Sequence, residues 1–197
     1  MGSGIIGVLA LQGDFDAHRK ALAALGARSV EVRDAAALNA VDALVLPGGE
    51  STTMLKLLRG EGLFEALRRF GQTRPVFGTC AGAILLAARV FNPAQESLAL
   101  IDIDVERNAY GRQLDSRVAR IESETGPIEA VFIRAPVIRR AGPGVRVLAR
   151  YGPDPVLVEQ GLHMAATFHP ELSADPLAHR RFLEKLGAPA ASAEGVA

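Results

Sequence analysis

The chain has 197 residues, of which 49% are hydrophobic, and its 22 Lys and Arg residues balance 22 Asp and Glu residues for a formal net charge of +0. This much apolar material excludes intrinsic disorder and is enough for one sizeable core, so the length fits one domain better than two. Aromatic residues make up only 5%, which indicates an aliphatic core of the kind found in buried parallel sheets. The balanced charge gives no electrostatic reason to expect nucleic acid or an anionic membrane as a partner.

Cysteine usage and the N-terminus indicate where the protein works. Cys80 is the one cysteine, so an internal disulfide and a multi-thiolate zinc site are both excluded. A lone cysteine predicts a reducing, cytoplasmic environment. Residues Met1–Gly4 contain no Lys or Arg, and the apolar stretch that follows breaks at Gln12–Asp14. We therefore expect neither a signal peptide nor a membrane span.

The first half of the chain alternates strand-like and helix-like segments. Strands are predicted at Ile5–Leu11, Val30–Val32, Val41–Leu46 and Pro75–Phe77. Helices are predicted at Phe15–Leu25, around Met54–Leu58, at Leu63–Phe70 and at Ala81–Val90. The buried stripe of the first helix is predicted to contain Ala17, Ala21, Leu22 and Leu25. Repeated strand-helix units imply right-handed crossovers and a parallel sheet.

The second half contains short strands separated by Gly and Pro. They are predicted at Ile101–Glu106, Val118–Ile121, Val131–Ile133, Val145–Ala149, Val156–Glu159 and Met164–Phe168. A helix over Pro176–Leu186 closes the domain. The prediction is one α/β domain over residues 1–187, with a mostly parallel central sheet that gains antiparallel strands, followed by a frayed tail over residues 188–197.

Two weak signals are rejected. Residues Gly2–Gly7 match the G-x-G-x-x-G pattern, but a dinucleotide fingerprint follows a strand and opens a helix, and this match precedes the first strand. A metal site could use His163, His169, Glu171 and His179 as ligands. The H-x-E pattern of zinc deaminases needs a C-x-x-C partner that one cysteine cannot supply, so no metal site is expected.

Residues Gly78–Gly82 place a cysteine between two glycines where a strand turns into a helix. This G-x-nucleophile-x-G elbow permits a tight backbone turn and exposes the side chain above the sheet. The N-terminal dipole of the helix that begins at Ala81 favours the thiolate of Cys80. The alternative is a buried, inert cysteine at an ordinary strand-helix turn.

A second candidate group lies at Phe168–Glu171, after an apolar strand. Pro170 favours an extended His169, and residues two apart on an extended segment point the same way. Glu171 can then orient the imidazole of His169 while that ring faces the thiol, as a Cys-His-Glu relay requires. The alternative is an exposed loop histidine beside a helix-capping glutamate.

The third candidate group is Leu46–Thr53, where a strand end turns through two glycines into a helix. The backbone N–H groups of Gly48 and Gly49, with that of Ala81, form a plausible oxyanion hole. The alternative is a tight turn with Ser51 or Thr52 as the helix N-cap, and both interpretations can hold together.

These motifs carry a resemblance to a known family. In order, they resemble those of the triad glutaminases among class I glutamine amidotransferases: Leu46–Thr53 (LPGGESTT), Gly78–Gly82 (GTCAG) and Phe168–Leu172 (FHPEL). Three more segments narrow the resemblance to the glutaminase subunits of glutamine-dependent pyridoxal 5′-phosphate synthases: Gly7–Gly13, Val105–Gln113 and Val131–Pro136. The resemblance extends over nearly the whole chain, to about the closing helix.

The resemblance implies a flavodoxin-like, three-layer fold and a set of site residues. Cys80 is the implied nucleophile, and His169 and Glu171 complete the triad. The implied residues around bound glutamine are Gly49, Glu50, Ser51, Arg107, Ile133 and Arg134. A free amino acid offers a carboxylate for an arginine and an ammonium for a carboxylate or for carbonyl groups. The alternative for Glu106, Arg107 and Arg134 is an ordinary surface ion-pair group.

The implied reaction is hydrolysis of the side-chain amide of L-glutamine to glutamate and ammonia through a cysteine thioester. The ammonia passes to a synthase subunit that assembles pyridoxal 5′-phosphate, and the glutaminase itself needs no cofactor. Two alternatives stay open from the residues: a glutaminase subunit of another pathway, such as histidine biosynthesis, and a non-catalytic flavodoxin-like binding module.

Overall fold

The computed structural model describes residues 4–109 and 117–186, so the predicted tail lies outside the described residues. The strands are β1 Ile6–Leu9, β2 Ser29–Val32, β3 Ala43–Leu46, β4 Val76–Thr79, β5 Ala87–Phe91, β6 Ile101–Glu106, β7 Arg117–Ser123, β8 Gly126–Phe132, β9 Val137–Ala141, β10 Arg146–Tyr151, β11 Asp154–Gln160 and β12 His163–Ala166. The helices are α1 Phe15–Ala24, α2 Ala35–Asn39, α3 Ser51–Gly60, α4 Leu63–Gly71, α5 Ala81–Leu86 and α6 Leu177–Lys185, with a 3₁₀ turn at Pro170–Leu172.

The central sheet has nine strands in the order β2-β1-β3-β4-β12-β11-β10-β7-β8. The pairs from β2 through β12 are parallel, and those from β12 through β8 are antiparallel. The predicted parallel sheet with added antiparallel strands is therefore confirmed. Each parallel connection in the first half contains at least one helix, as a crossover between parallel strands requires.

Two apolar clusters lie on opposite faces of the sheet. On β3, alternate residues enter different clusters: Leu44 and Leu46 join Met54 of α3 in one, and Ala43 and Val45 join Leu22 of α1 in the other. This alternation follows from the two-residue period of a strand. Helices consequently cover both faces, which gives the three-layer arrangement.

The predicted helix over Ala81–Val90 is wrong in its second half. Helix α5 ends at Leu86, Ala87 adopts an extended backbone with ψ 150°, and β5 pairs in parallel with β6. A short apolar run does not distinguish a buried helix from a buried strand, and here the pairing with a distant strand decides the conformation. Strand β9 completes a three-stranded second sheet, β5-β6-β9, which the sequence did not predict.

The strand ends determine where a site can form. Strands β1, β3, β4 and β12 are parallel, so the loops that follow them lie at one edge of the sheet. These loops contain the predicted functional segments, from Gln12 in the first to Glu171 in the last. Across residues 4–109 and 117–186, every helix is too short or too polar to cross a bilayer.

Candidate active site

Cys80 lies on a strained turn between β4 and α5. Its backbone has φ 47° and ψ −102°, a conformation that costs a non-glycine residue on the order of 1–3 kcal/mol. A Cβ on Gly78 would lie 2.5 Å from the carbonyl carbon of Gly82, and one on Gly82 would lie 2.1 Å from the carbonyl oxygen of Leu46. Both glycines of the predicted elbow are therefore required by close backbone approach, and the turn presents the sulfur of Cys80 at the sheet edge.

His169 and Glu171 contact one another directly. Nδ1 of His169 lies 2.7 Å from Oε1 of Glu171, and the Glu171 side chain is fully buried. The predicted contact is correct, but the predicted extended segment is wrong, because residues Pro170–Leu172 form a 3₁₀ turn that folds the carboxylate back onto the ring. The alternative of an exposed loop histidine is also wrong, since His169 is buried.

The electrostatics of His169 link it to the cysteine. Burial lowers the pKa of His169, but hydrogen bonds with Cys80 and Glu171 outweigh burial and raise that pKa to about 10. The ring is therefore an imidazolium at neutral pH. An imidazolium beside a cysteine sulfur is the arrangement that a nucleophilic relay needs.

The glycine turn after β3 lies against both groups. A Cβ on Gly48 would lie 2.4 Å from Cε1 of His169 and 3.3 Å from Cβ of Cys80, so this position tolerates no side chain. Gly49 has φ 142°, and a Cβ there would lie 2.0 Å from Nε2 of Gln12. The backbone N–H of Glu50 donates to Oε1 of Gln12 at 3.1 Å. The side chain of Gln12 thus covers the turn that contains the predicted oxyanion-hole donors.

Glu50, not Ser51 or Thr52, caps the helix that follows. Its carboxylate accepts from the backbone N–H groups of Thr52 at 3.1 Å and of Thr53 at 2.6 Å. Burial raises the pKa of Glu50, but the hydrogen bonds from Thr53 and Thr52 outweigh this and lower it. The predicted serine or threonine cap is wrong because the hydroxyl of Ser51 donates to Gln95 at 2.9 Å.

Arg107 is held in place before any ligand binds. Its Nη2 donates to Oγ1 of Thr52 at 2.8 Å and lies 3.4 Å from Oε1 of Glu50. Glu106 bonds instead to Arg139 at 2.7 Å, so the alternative of an ion-pair group joining Glu106 to Arg107 is wrong. Arg134 has φ 44°, a left-handed backbone beside the carbonyl of Ile133, which lies 3.9 Å from the sulfur of Cys80.

A cavity of about 190 Å³ brings these residues together. It is lined by Gly49, Glu50, Ser51, Cys80, Ile84, Arg107, Asn108, Ile133, Arg134 and His169. Every predicted substrate residue is in this lining, with the nucleophile and its histidine. Gly48 contacts both of these, and Ala81 follows Cys80 on its turn. A larger cavity of about 380 Å³ lies in the antiparallel half of the sheet, beside Arg146 and Arg181. Its lining contains no cysteine and no histidine that could act as a base, so we assign the site to the smaller one.

Several site residues were not predicted. Ile84 and Asn108 line the cavity, Gln12 covers the glycine turn, and Gln95 holds Ser51. The polar groups that lie behind Glu171 were also missed: His18, Thr79 and His179. For His18 the sequence carried a signal, because it lies four residues before the buried Leu22 and so shares the buried face of α1.

The potential metal ligands of the sequence do not form one group. Burial lowers the pKa of His163, with smaller effects from a hydrogen bond with the Gly71 backbone and from Lys185, and these neighbours do not line the small cavity. Within residues 4–109 and 117–186, no cluster of three or more His, Cys, Asp or Glu side chains is arranged to hold a metal ion.

Known proteins resemble this chain over most of its length. The model of the SNO glutamine amidotransferase family matches residues 8–187. A Solibacter usitatus protein named pyridoxal 5′-phosphate synthase subunit PdxT is 61% identical over 189 residues, which cover 92% of this chain and 98% of that protein. A protein of the same name from Thermus thermophilus is 54% identical and covers 93% of this chain and 98% of its own length.

Solved structures agree with the fold. One structure, described as a crystal structure of glutamine amidotransferase, matches with a TM-score of 0.87 and 51% sequence identity. The match covers 94% of this chain and 100% of the chain in that structure. A glutamine amidotransferase from Thermotoga maritima shares the fold alone, with a TM-score of 0.58 and 12% identity over 95% of this chain and 95% of its own. The predicted fold class is confirmed.

Proposed function

Because the chain belongs to the SNO glutamine amidotransferase family, we propose that it is the glutaminase subunit of a pyridoxal 5′-phosphate synthase. It hydrolyses the side-chain amide of L-glutamine and supplies the ammonia to a synthase subunit. The observation that carries this proposal is the wall of the small cavity, where Cys80 and a buried, carboxylate-bonded His169 lie together. A domain over residues 1–187 is supported by the family match over residues 8–187.

The first half of the reaction forms a thioester. The Cys80 thiolate attacks the amide carbon, a C–S bond forms, and negative charge moves to the amide oxygen. We assign the stabilising N–H groups to the turn of Gly48 and Gly49 and to Ala81. Nδ1 of His169 faces Glu171, so Nε2 gives the proton to the departing nitrogen as the C–N bond breaks and ammonia leaves.

The second half hydrolyses the thioester. Neutral His169 takes a proton from water at Nε2, the resulting hydroxide attacks the acyl carbon, and the C–S bond breaks to return the Cys80 thiolate and release glutamate. Glu171 accepts the Nδ1–H bond in both halves and so keeps the ring orientation and tautomer. These steps use side chains of this chain alone and need no cofactor.

The charged ends of glutamine have partners in the cavity. We assign its carboxylate to the guanidinium groups of Arg107 and Arg134, of which Arg107 is already oriented by Thr52. The carboxylate of Glu50 is occupied by the N-terminus of α3, which leaves the backbone carbonyl of Ile133 as an acceptor for the ammonium group. Ser51 and Gly49 complete the wall. The small volume suits a single amino acid.

The synthase subunit docks, in this proposal, on the loop that contains Gln12 and Gly13. A Cβ on Gly13 would lie 1.9 Å from the carbonyl oxygen of Gly48, so this loop packs directly on the oxyanion turn. Movement of Gln12 on docking would alter the backbone of Glu50, from which it accepts a hydrogen bond, and of Gly49, against which its side chain packs. One oxyanion-hole donor is worth roughly 10²–10³ in rate, so the partner can switch the glutaminase on.

The chemistry is tested by labelling. A glutamine-like electrophile should add once to the protein by intact mass, and glutamine should protect against this labelling. Cys80→Ala is the matched control and should show no adduct, because Cys80 is the one cysteine. Labelling that glutamine does not slow would overturn the substrate assignment.

The partner is tested by measuring glutamate release from the isolated chain and again with saturating pyridoxal 5′-phosphate synthase subunit. We expect a low rate alone and a rise of about 10²-fold or more in the complex. Equal rates, with no complex on size exclusion in the presence of glutamine, contradict the coupling. Activation by the synthase of another pathway, such as histidine biosynthesis, contradicts the assignment to pyridoxal 5′-phosphate synthesis.

We place the reaction in the cytoplasm, because Cys80 must stay a free thiol.

A further inference from the structure

A group of buried polar side chains lies behind Glu171, on the side away from Cys80. It consists of His18 from α1, Thr79 from β4 and His179 from α6, which are 0%, 0% and 1% exposed. We call these residues the back cluster. The proposed steps of glutamine hydrolysis do not use them. Because burying polar groups in an apolar core is costly, three elements converging here call for an explanation.

The back cluster contacts the carboxylate through His18. Nε2 of His18 lies 3.0 Å from Oγ1 of Thr79 and 3.2 Å from Oε2 of Glu171. On the other side of the ring, Nδ1 lies 3.0 Å from Nε2 of His179. A continuous line of polar contacts therefore runs from His169 through Glu171 and His18 to His179.

The contact with a carboxylate selects one tautomer for His18. A carboxylate oxygen can only accept, and it would repel a ring nitrogen lone pair 3.2 Å from Oε2 of Glu171, so we place the proton of His18 on Nε2. Burial, with His179 and His169 nearby, holds the pKa of His18 well below its usual value, so the ring is neutral. Its Nδ1 is then an acceptor, and His179 must donate from Nε2.

The second carboxylate oxygen depends on this one neighbour. In the described part of the chain, Oε2 of Glu171 has no well-directed hydrogen bond, because the N–H of His18 points nearer to Thr79. The 3.2 Å contact with His18 is still electrostatically favourable. The other titratable groups around Glu171 are His169, Cys80 and, one step further, His179. On β8, Glu129 is exposed and accepts instead from Ser173.

We propose that His18, held in one tautomer by His179, is a positioning residue for the Cys-His-Glu relay, and that it acts by keeping an N–H group 3.2 Å from the far oxygen of Glu171. This proposal rests on the proposed glutaminase function. Without that N–H, a buried carboxylate loses its polar neighbour on this side. Glu171 then rotates away from its present position, and it orients His169 less well.

The test compares a variant that removes the donor with one that keeps it. In the complex with its synthase, His18→Leu should lower kcat for glutamine about 10–100-fold, as expected for groups that orient a catalytic residue, with KM within about twofold. The basic limb of the pH profile of kcat should move to lower pH, because the hydrogen bond to Glu171 that raises the pKa of His169 is weakened. His18→Gln, whose Nε2 can occupy the place of the imidazole Nε2, should restore most of kcat.

His163 supplies the matched control. It is also a buried histidine with a lowered pKa, but its neighbours are Gly71 and Lys185. His163→Leu should leave kcat and the pH profile within about twofold of the original protein. Two outcomes would show that His18 has only a structural role and would overturn the proposal. One is an equal loss of kcat in His163→Leu and His18→Leu. The other is a His18→Gln variant with a kcat as low as that of His18→Leu and an unchanged pH profile.

A second readout needs no turnover and keeps the proposal testable if the proposed function fails. The chain has four histidines, so the ring ¹⁵N signals of His169 can be followed through a pH titration. The pKa of His169 should fall in His18→Leu, because Glu171 then supports the imidazolium less well, and should stay near the original in His18→Gln. If His18→Leu does not fold, His179→Leu is the alternative variant, because it removes the group that holds His18 in one tautomer. The pKa of His169 should then fall in the same direction but by less. An unchanged pKa of His169 in these folded variants overturns the proposal. Absence of glutamine turnover in the unmutated complex overturns only the proposed function.

Discussion

The two halves of the nine-stranded sheet differ in what their strand ends hold. At the parallel half, backbone strain at Cys80 and close glycine packing create a small cavity. At the antiparallel half, the larger cavity is bordered by ion pairs such as Arg146 with Glu124 and Arg181 with Glu159. The proposed site therefore lies at the carboxyl ends of the parallel strands and not in the larger cavity, because the loops with the cysteine, the histidine and the glycine turn meet at that edge.

The sharpest test of this difference is to remove the relay. By analogy with a serine triad, His169→Asn should lower kcat for glutamine by about 10⁶-fold. Glu171→Gln should lower kcat by about 10⁴-fold and leave measurable activity. The acid-base group moves protons in both halves of the reaction, and the carboxylate only orients it. Steady-state kinetics of the synthase complex measures both losses. Near-normal activity of a folded His169→Asn would disprove the relay.

Gly82→Ala tests whether the parallel half depends on close backbone packing. The new Cβ would lie 2.1 Å from the carbonyl oxygen of Leu46, so α5 must move away from β3. We expect a loss of about 3 kcal/mol or more in the free energy of unfolding, with turnover lost as Cys80 shifts. Gly60→Ala is the control, since a Cβ there meets nothing within 4 Å. Equal urea midpoints for the two variants would contradict this account.

Acid should destabilise the protein through its buried neutral histidines. Burial lowers the pKa of both His163 and His179 to about 4, below the usual 6.5. Between pH 6.5 and pH 4 these histidines bind protons in the unfolded chain but not in the folded chain. Their contribution to the free energy of unfolding is therefore fully present above pH 6.5 and falls by about 3 kcal/mol per histidine as pH falls towards 4.

His163→Gln isolates one of these histidines. Urea unfolding should show a smaller loss of stability between pH 7 and pH 4 for the variant than for the original protein, by about 3 kcal/mol at most. His163 lies on β12, where the parallel half meets the antiparallel half, so it reports on stability without touching the relay. Identical pH slopes for the two proteins would show that His163 is not held neutral.

The smallest effect is expected at the larger cavity. Arg146 and Glu124 are both more than one-third exposed, and exposed pairs contribute little because water screens them. Arg146→Ala should leave the urea midpoint and glutamine turnover unchanged. A marked loss of turnover would mean that the antiparallel half takes part in the reaction and would remove the distinction between the halves.

The relay and the cavity lining could be predicted because their signals are local. Short motifs place Gly48, Cys80 and His169 directly after apolar strands, and parallel strands bring such loops to one edge. The motif at Glu171 predicted its contact with His169 but not the 3₁₀ turn that makes it. The segment at residues 110–116, which continues the motif containing Arg107, lies outside the described residues.

By itself, the sequence determined most strands and helices of the first half, though neither α2 nor β5, because hydrophobic period and turn chemistry act within a few residues. It also determined which loops meet at the parallel strand ends. Only the tertiary structure decided that Ala87 leaves the helix for a second sheet, that Glu50 and not Ser51 caps α3, and that His18 and His179 meet behind Glu171. Ala87, His18 and His179 each have a partner far away in the chain, and Ser51 bonds to the distant Gln95 and so leaves the cap to Glu50. Partners of that kind are chosen by packing and by the need to satisfy buried polar groups.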